Sequence, residues 1–510
     1  MIFRAPEEPL EIPDVPLTPL IMESAERFGD KPALIDAPSG RTLTYRGWAE
    51  SVRRAAAGLS RRGLRKGDVF AIYSPNLPEY AIAFHAVALL GGIVTTINPA
   101  YTVAELSRQL ADSKARYLLT TSPFLDKAMQ AAGENGIGDV FVFGDSFDAL
   151  LASDGDVPPV AIDPASDVIA LPYSSGTTGL PKGVMLTHRN LVANVLQCAS
   201  VFGVGQDDTT LAVLPFFHIY GMVVIMNMGL RVGATIVTMP RFDLKECLQA
   251  IEKYRITYGF IVPPIMLALA KSPIIDDYDL SALRTLFSGA APLSADLARA
   301  AGARLGCTIM QGYGMTEASP ATHGTRSDDS DGIGPPMPNT ESKIVDVVTG
   351  AELGPDQEGE ICVRGPQVMK GYLNNPEATA AMIDGDGWLH TGDIGSANES
   401  GSFFVVDRVK ELIKYKGMQI APAELEAILL GHPAIADAAV VPMADEEGGQ
   451  VPKAFVVLKT QSAPEDIMTY VADRVARYKR VRYVEVIDAI PRSPSGKILR
   501  RVLVDRARGE

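Results

Sequence analysis

The spacing of apolar residues along the chain changes several times, and each change marks a structural unit. Between 44 and 62, Trp48, Val52, Ala55 and Leu59 recur every three or four positions, the period of a helix with one buried face. An apolar run, VFAIY at 69–73, follows. A helix-like stretch at 79–90 is broken by Gly91 and Gly92 before IVTTI at 93–97, and ARYLLTT at 115–121 repeats the theme. The same pattern resumes near 167–172 and 210–214. Short apolar strands alternating with helices predict βαβ units and a largely parallel sheet. From 340 to 406 the pattern shifts to short strands with turns between them (SKIVDV, GEICVRG, SFFVVD), which predicts an antiparallel β subdomain. From 411 it shifts again. Pro422 opens a helix with Leu425, Ile428 and Leu429 on one face, and Gly431 and Pro433 end it. Strand-like AAVVP and AFVVL come next, then a predicted helix over 465–478 with Ile467, Val471, Val475 and Tyr478 on one side. The fold class is therefore α/β: a large N-terminal domain, 1–407, a hinge at 408–410, and a small α+β domain, 411–510.

Composition narrows the function. The 510 residues exceed what one core usually serves. Acidic residues outnumber basic ones, 61 to 47, for a net charge of −14, so nucleic acid is a poor partner. Anionic small molecules stay possible, because a few local cations and helix N-termini can hold phosphate. Cys198, Cys247, Cys307 and Cys362 are scattered without metal-ligand spacing and read as reduced thiols of a cytoplasmic protein. The acidic, Pro-rich N-terminus lacks the basic and apolar regions of a signal peptide. The most apolar stretch, around 211–230, is interrupted by Pro215, His218 and Asn227 and is not read as a membrane span. The C-terminal RARGE lacks the peroxisomal tripeptide.

The candidate chemistry begins at the loop Tyr173-Ser174-Ser175-Gly176-Thr177-Thr178-Gly179-Leu180-Pro181-Lys182-Gly183. Small hydroxyl residues and glycines after an apolar run can wrap phosphates with backbone N–H groups, hydroxyls and one ammonium. The spacing is not that of a Walker A loop. Four further segments follow in order: QGYGMTE at 311–317, LHTGD at 389–393, DRVKELIKYKG at 407–417 and PRSPSGK at 491–497. Together the five segments resemble the signature motifs of the adenylate-forming superfamily, which includes acyl- and aryl-CoA ligases, beetle luciferases and peptide-synthetase adenylation domains. The resemblance spans residues 173 to 497.

It implies an enzyme that uses ATP, Mg²⁺ and coenzyme A. ATP or AMP would be held by Ser174, Ser175, Gly176, Thr177, Thr178, Gly179 and Lys182, by Gly289, Ala290 and Ala291, and by Gln311, Gly312, Tyr313, Gly314 and Met315. Tyr313 would offer a flat face to adenine. Thr316 would donate to the α-phosphate, and Glu317 would help hold Mg²⁺, a hard cation that prefers oxygen. Asp393 and Arg408 would meet the ribose. Lys497 would stabilise charge building on the α-phosphoryl oxygens as a carboxylate attacks. Lys410 would be the hinge about which the small domain swings to a second pose. There Lys414 would serve the thioester step, with Lys416, Gly417 and Gln419 near coenzyme A. His218 would gate or contact the acid's carboxylate. By motif position the acyl pocket comprises His218, Tyr220, Gly221, Ala290, Gly314, Pro320 and Ala321.

Within the superfamily, HIYG, SGAAPL at 288–293, KYKGMQIAPAELE and PRSPSGK look most like 4-coumarate:CoA ligases and related acyl-CoA ligases. Plant coumarate ligases tend to have Ala-Gly-Pro-Val where this chain has Ala318-Ser319-Pro320-Ala321, and the run Gly221-Met222-Val223-Val224 is more apolar. A hydroxycinnamate is the favoured acid. A medium- or long-chain fatty acid, a luciferase-type monooxygenase and a catalytically silent nucleotide-binding protein are the alternatives, although an intact Lys497 and Gly-rich loop speak against the last. Partners are small molecules, with a monomer or homodimer left open.

Overall fold

The computed structural model describes residues 1–174, 181–326, 332–408, 411–415, 418–445, 449–475, 477–493 and 496–508; for 407, 408, 414, 418, 419 and 449 it describes the backbone alone. The predicted first helix forms over Tyr45–Arg61. The Thr44 hydroxyl caps it by accepting from the Gly47 N–H at 3.1 Å, and Trp48, Val52, Ala55 and Leu59 are fully buried. The next helix, Pro78–Leu89, opens on proline and is buried almost all round. Gly91, at φ +69°, turns the chain out of it.

These helices cover a sheet whose strands Ile93–Ile97, Val69–Tyr73, Tyr117–Thr120 and Asp139–Val142 lie side by side in that order and run parallel, the first three of them at the apolar runs read from the sequence. A second sheet places Thr209–Ala212, Thr235–Thr238, Tyr258–Ile261, Thr285–Ser288 and Thr308–Gly314 in parallel. Ala321–Gly324 and Thr42–Thr44 are its antiparallel edges. One hydrophobic core joins the two sheets and their helices. The predicted antiparallel subdomain is a third sheet, in the order Phe3–Arg4, Glu341–Val345, Gly359–Arg364, Leu389–Ala397 and Phe403–Arg408. Its first strand was not predicted: two residues have no period. Phe3 is held there by packing edge-on to Phe403 with ring centroids 5.3 Å apart.

The small domain builds its sheet from Ile413–Tyr415, Met418–Ile420, Ile435–Asp445, Gly449–Leu458 and Tyr483–Val486 around a separate core. Helix Pro422–Leu430 begins and ends as predicted. The helix expected over 465–478 is shorter, Pro464–Ala472. Asp473 is its C-cap, with its N–H donating to the Thr469 carbonyl, and a turn follows in which the Arg474 N–H donates to the Val471 carbonyl. Val475 and Tyr478 still pack on the same core from the following turns, so the stripe marked burial and not helix length. Among the described residues no helix is long and apolar enough to cross a membrane.

Three buried histidines sit in the large domain: His188 and His85 hold the start of helix Leu17–Phe28, and His323 packs against Phe403 of the third sheet. His188 Nδ1 accepts from the Leu17 N–H at 3.2 Å, and His85 Nδ1 lies 3.0 Å from the Thr18 hydroxyl. Burial pushes the rings of His85, His188 and His323 down to about 3, 4 and 3. A folded-state pKa below that of the unfolded chain means the unfolded chain binds the extra proton. Stability is then present above about 6.5 and is lost as pH falls toward the folded value. Between pH 6.5 and 5 each ring should remove about 1.4 kcal/mol per pH unit. Urea-unfolding midpoints measured across that window should fall accordingly, and His85→Gln should flatten the slope by about one ring's share. An unchanged slope in the variant would show that His85 titrates normally in the folded protein.

Candidate active site

The site lies at the carboxyl ends of the parallel strands of the second sheet, where α/β sheets leave a crevice for ligands. Two strands deliver it. After Thr285–Ser288 come Gly289 and Ala290, and the strand Thr308–Gly314 ends in the Tyr313 region. Ala290 holds φ +68°, a left-handed conformation disfavoured for a residue with a Cβ. Gly289 lies against the ring of Tyr220, where a Cβ would meet Cε1 at 3.2 Å. Gly314 permits a bulge beside Ala321, since a Cβ there would stand 2.0 Å from the Pro320 carbonyl oxygen.

A cavity opens between these loops. Its chemically active wall carries His218, Tyr313, Thr316 and Lys497, and its apolar wall is formed mainly by Phe202, Tyr220, Val224 and Phe287. Gly289, Ala290, Gly312, Gly314, Met315, Pro320 and Ala321 complete it as predicted, together with Ile219 and His323. Phe202, Phe287 and His323 were not singled out from the sequence; Val224 was named only within the apolar run 221–224, and Ile219 only within HIYG. Three predicted residues stand beside the cavity and do not line it. Gly221 lies in the π-helical stretch Tyr220–Asn227, packed so tightly that a Cβ would meet the Pro215 carbonyl oxygen at 2.2 Å. Gln311 is tied through its backbone to Thr325, and Ala291 is half-buried past the turn.

His218 is neutral here. Burial, reinforced by the nearby Lys497 ammonium, pushes its imidazole down to about 3. Its Nδ1 accepts from the Tyr220 N–H at 3.3 Å, so in the neutral ring the proton sits on Nε2, which is a donor. Tyr220 in turn donates its phenol proton to the Phe287 carbonyl at 3.3 Å, leaving its oxygen able to accept.

Lys497 reaches the cavity from the small domain. The loop that carries it is internally braced. The Ser493 N–H donates to the Lys497 carbonyl at 2.8 Å, and the Lys497 N–H donates to the Ser493 hydroxyl at 3.2 Å. Arg492 donates to the Gly496 carbonyl at 2.9 Å while paired with Asp437 at 2.8 Å. Gly496, at φ +81°, faces the large domain, where its Cβ would lie 3.2 Å from Val262. The lysine is therefore held by its own domain and seated against the other.

Around the nucleotide end, Tyr313 donates its phenol proton to Asp393, which is buried. Arg408 pairs with Asp393 through the backbone ladder. Glu317, in the short turn Thr316–Ala318, is buried and accepts from the Tyr372 phenol at 2.7 Å. Lys182 lies over the Tyr372 ring at 5.0 Å, so Lys182 and Glu317 share one neighbourhood at the end of the strand Tyr173–Ser174. Ser175, Gly176, Thr177, Thr178 and Gly179, with Lys410, Lys416 and Gly417, lie outside the described residues, as do the side chains of Arg408, Lys414 and Gln419.

Known proteins resemble this chain over nearly its whole length. The family model described as AMP-binding enzyme matches residues 21–373, and that of the AMP-binding enzyme C-terminal domain matches 424–497. A relative named 4-coumarate–CoA ligase 2, from Petroselinum crispum, is 46% identical, with 99% of this chain and 96% of that protein aligned. The solved structure of the anthranilate CoA ligase AuaEII in complex with anthranoyl-AMP superposes with a TM-score of 0.91 at 26% identity, covering 98% of each chain. MatB from Rhodopseudomonas palustris superposes at 0.88 in its ATP-bound form and 0.78 in its apo form, at 28% identity, covering 96% of this chain and 99% of MatB. With one family model matching well over half of the residues and a relative aligned almost end to end, this chain belongs to the AMP-binding enzyme family.

Proposed function

We propose that the chain joins a hydroxycinnamic acid such as 4-coumarate to coenzyme A at the expense of ATP, by way of an acyl-adenylate. The observation that carries the chemistry is the seating of Lys497 on the wall of a cavity otherwise built by the large domain, beside Thr316, Tyr313 and His218. The name of the Petroselinum relative supports the acid and the acceptor.

In the first step a carboxylate oxygen of the acid bonds to the α-phosphorus of ATP, the bond to the bridging oxygen breaks, and pyrophosphate leaves with the electron pair. Two anions must approach, and negative charge grows on the α-phosphoryl oxygens. The Lys497 ammonium and the Thr316 hydroxyl meet that charge where water is largely excluded, so each contact is worth more than in solvent. His218, neutral with its proton on Nε2, donates to the carboxylate without adding a second cation beside Lys497. Tyr313 and Asp393 hold adenine and ribose. Glu317, beside the Tyr372 hydroxyl, offers oxygen ligands that would suit Mg²⁺ bound with the triphosphate, where the ion would neutralise charge between phosphates, and Lys182 in the same neighbourhood would meet a phosphate directly.

In the second step the thiol sulfur of coenzyme A bonds to the acyl carbon, AMP leaves through its phosphate oxygen, and the thiol proton goes to solvent or base. Lys497 occupies the approach in the first step, so the small domain turns about Lys410 and brings Lys414, Lys416, Gly417 and Gln419 to the site. The four free cysteines fit a reducing, cytoplasmic setting.

The acid is tested by ATP–pyrophosphate exchange over cinnamic, benzoic and fatty acids; exchange fastest with a fatty acid would replace the hydroxycinnamate. Lys497→Ala should lower adenylate formation by about 10²–10³-fold and still convert supplied acyl-adenylate to thioester. Equal loss in both half-reactions would point to a shared role. Lys410→Pro fixes φ at the pivot and removes an N–H donor. It should retain pyrophosphate exchange and lose thioester formation. A normal thioester rate in that variant would show that the pivot lies elsewhere.

A further inference from the structure

Where the strand Leu389–Ala397 pairs with Gly359–Arg364, the ladder is interrupted. Glu360 lies opposite Ile394 and Cys362 opposite His390, so Ile361 alone faces the three residues Thr391, Gly392 and Asp393. Gly392, at φ +71°, carries the excess outward. Such a bulge takes backbone groups out of the ladder, and buried ones need other partners. Side chains supply them. The Thr391 hydroxyl donates to the Ile361 carbonyl at 2.7 Å and accepts from the Asp393 N–H at 3.1 Å. Glu360 Oε1 accepts from the Gly392 N–H at 2.9 Å. The other oxygen, Oε2, lies 2.9 Å from His390 Nδ1, and the far nitrogen of that ring lies 3.5 Å from Asp384. One carboxylate thus grips both sides of the bulge whose last residue is Asp393.

We infer that Glu360 is a positioning residue for the nucleotide: it clamps the bulge at His390 and Gly392, and through Asp393 it sets the grip on the ribose hydroxyls. The inference rests on reading Asp393 as the ribose partner. Glu360, Cys362 and His390 also stand close enough to share a cation, with one ligand atom each inside 4.8 Å. The hydrogen bonds already account for this grouping. Burial, helped by the Glu360 carboxylate, pushes the Cys362 thiol well up, so it is a protonated thiol and a poor ligand.

The test uses the whole enzyme with saturating acid and coenzyme A, comparing ATP with 2′,3′-dideoxy-ATP, which lacks the hydroxyls Asp393 would hold. Glu360→Ala should raise KM for ATP about tenfold with little change in kcat, the size expected for loosening one charge-assisted contact. On dideoxy-ATP the same variant should differ from wild type by less than about twofold, since the interaction it acts through is already gone. Asp393→Ala should show the same dependence on the nucleotide. Glu360→Gln keeps an oxygen for Gly392 and an amide for His390, and should stay within about threefold of wild type. Equal impairment of Glu360→Ala on both nucleotides, with Asp393→Ala still discriminating, would overturn the positioning role alone. Equal impairment of Asp393→Ala on both would overturn the ribose reading, and the role of Glu360 with it. If Glu360→Ala does not fold, His390→Ala unties the second oxygen and should show the same discrimination at smaller amplitude; its absence there would count against the inference.

Discussion

In the function proposed above, one domain delivers a single positive charge, that of Lys497, into a cavity otherwise lined by the other, and several features of the structure bear on that placement. An ammonium in open water does little for an attacking carboxylate, because solvent screens it. Lys497 lines the same cavity as Thr316 and the buried His218. Its loop must then be stiff, and the Arg492 contacts to Asp437 and the Gly496 carbonyl make it so. The loop must also fit closely against the large domain, and a glycine with φ +81° beside Val262 allows that. The low pKa of His218 comes mainly from burial in the same cavity, and the Lys497 ammonium lowers it further.

The arrangement also explains why the small domain has a core of its own. If it is to leave with Lys497 and return with another face, it cannot depend on the large domain for its packing. Ile413, Leu425, Val440, Val456 and Ile467 are fully buried within it. The chain passes from the third sheet, through Arg408, to the small domain's strand Ile413–Tyr415 in a few residues. Arg500 extends this unity. It pairs with Glu411, at the start of the small domain, at 2.5 Å and with Glu426, and it follows Lys497 by three residues. The entry point of the domain and its lysine loop are thereby parts of one rigid piece.

Much of this was legible in the sequence. The alternation of strands and helices, their largely parallel pairing, the antiparallel subdomain and the separate α+β unit follow from periodicity, because buried faces impose it; the division of the parallel strands into two sheets does not. What escaped had no period to read. The strand Phe3–Arg4 exists because Phe3 finds Phe403 some four hundred residues away. The clamp at Glu360 depends on a bulge, and a bulge is a mismatch between two strands that neither strand records alone. The helix beginning at Pro464 was overextended because Val475 and Tyr478 satisfy the core from turns as well as from a helix.

The two ends of the cavity differed in the same respect, for a chemical reason. The nucleotide end must offer donors, acceptors and close backbone approach to a ligand dense in charge. That requires unusual residues in unusual order, which stand out as motifs. In the function proposed above the acid's end would need only apolar surface of the right shape, and Phe202, Val224 and Phe287 line the cavity from elements that also form the core. Phe202 packs on Phe287 with ring centroids 4.3 Å apart, so these walls serve folding and selectivity at once. A residue with both duties looks like core in a sequence. The polar atoms left at that end then carry the discrimination. Tyr220 spends its proton on the Phe287 carbonyl, so its oxygen meets an acid as an acceptor. In the function proposed above, an acid bearing a hydroxyl at its far end can add a hydrogen bond to that oxygen, whereas a plain hydrocarbon end meets it through packing alone.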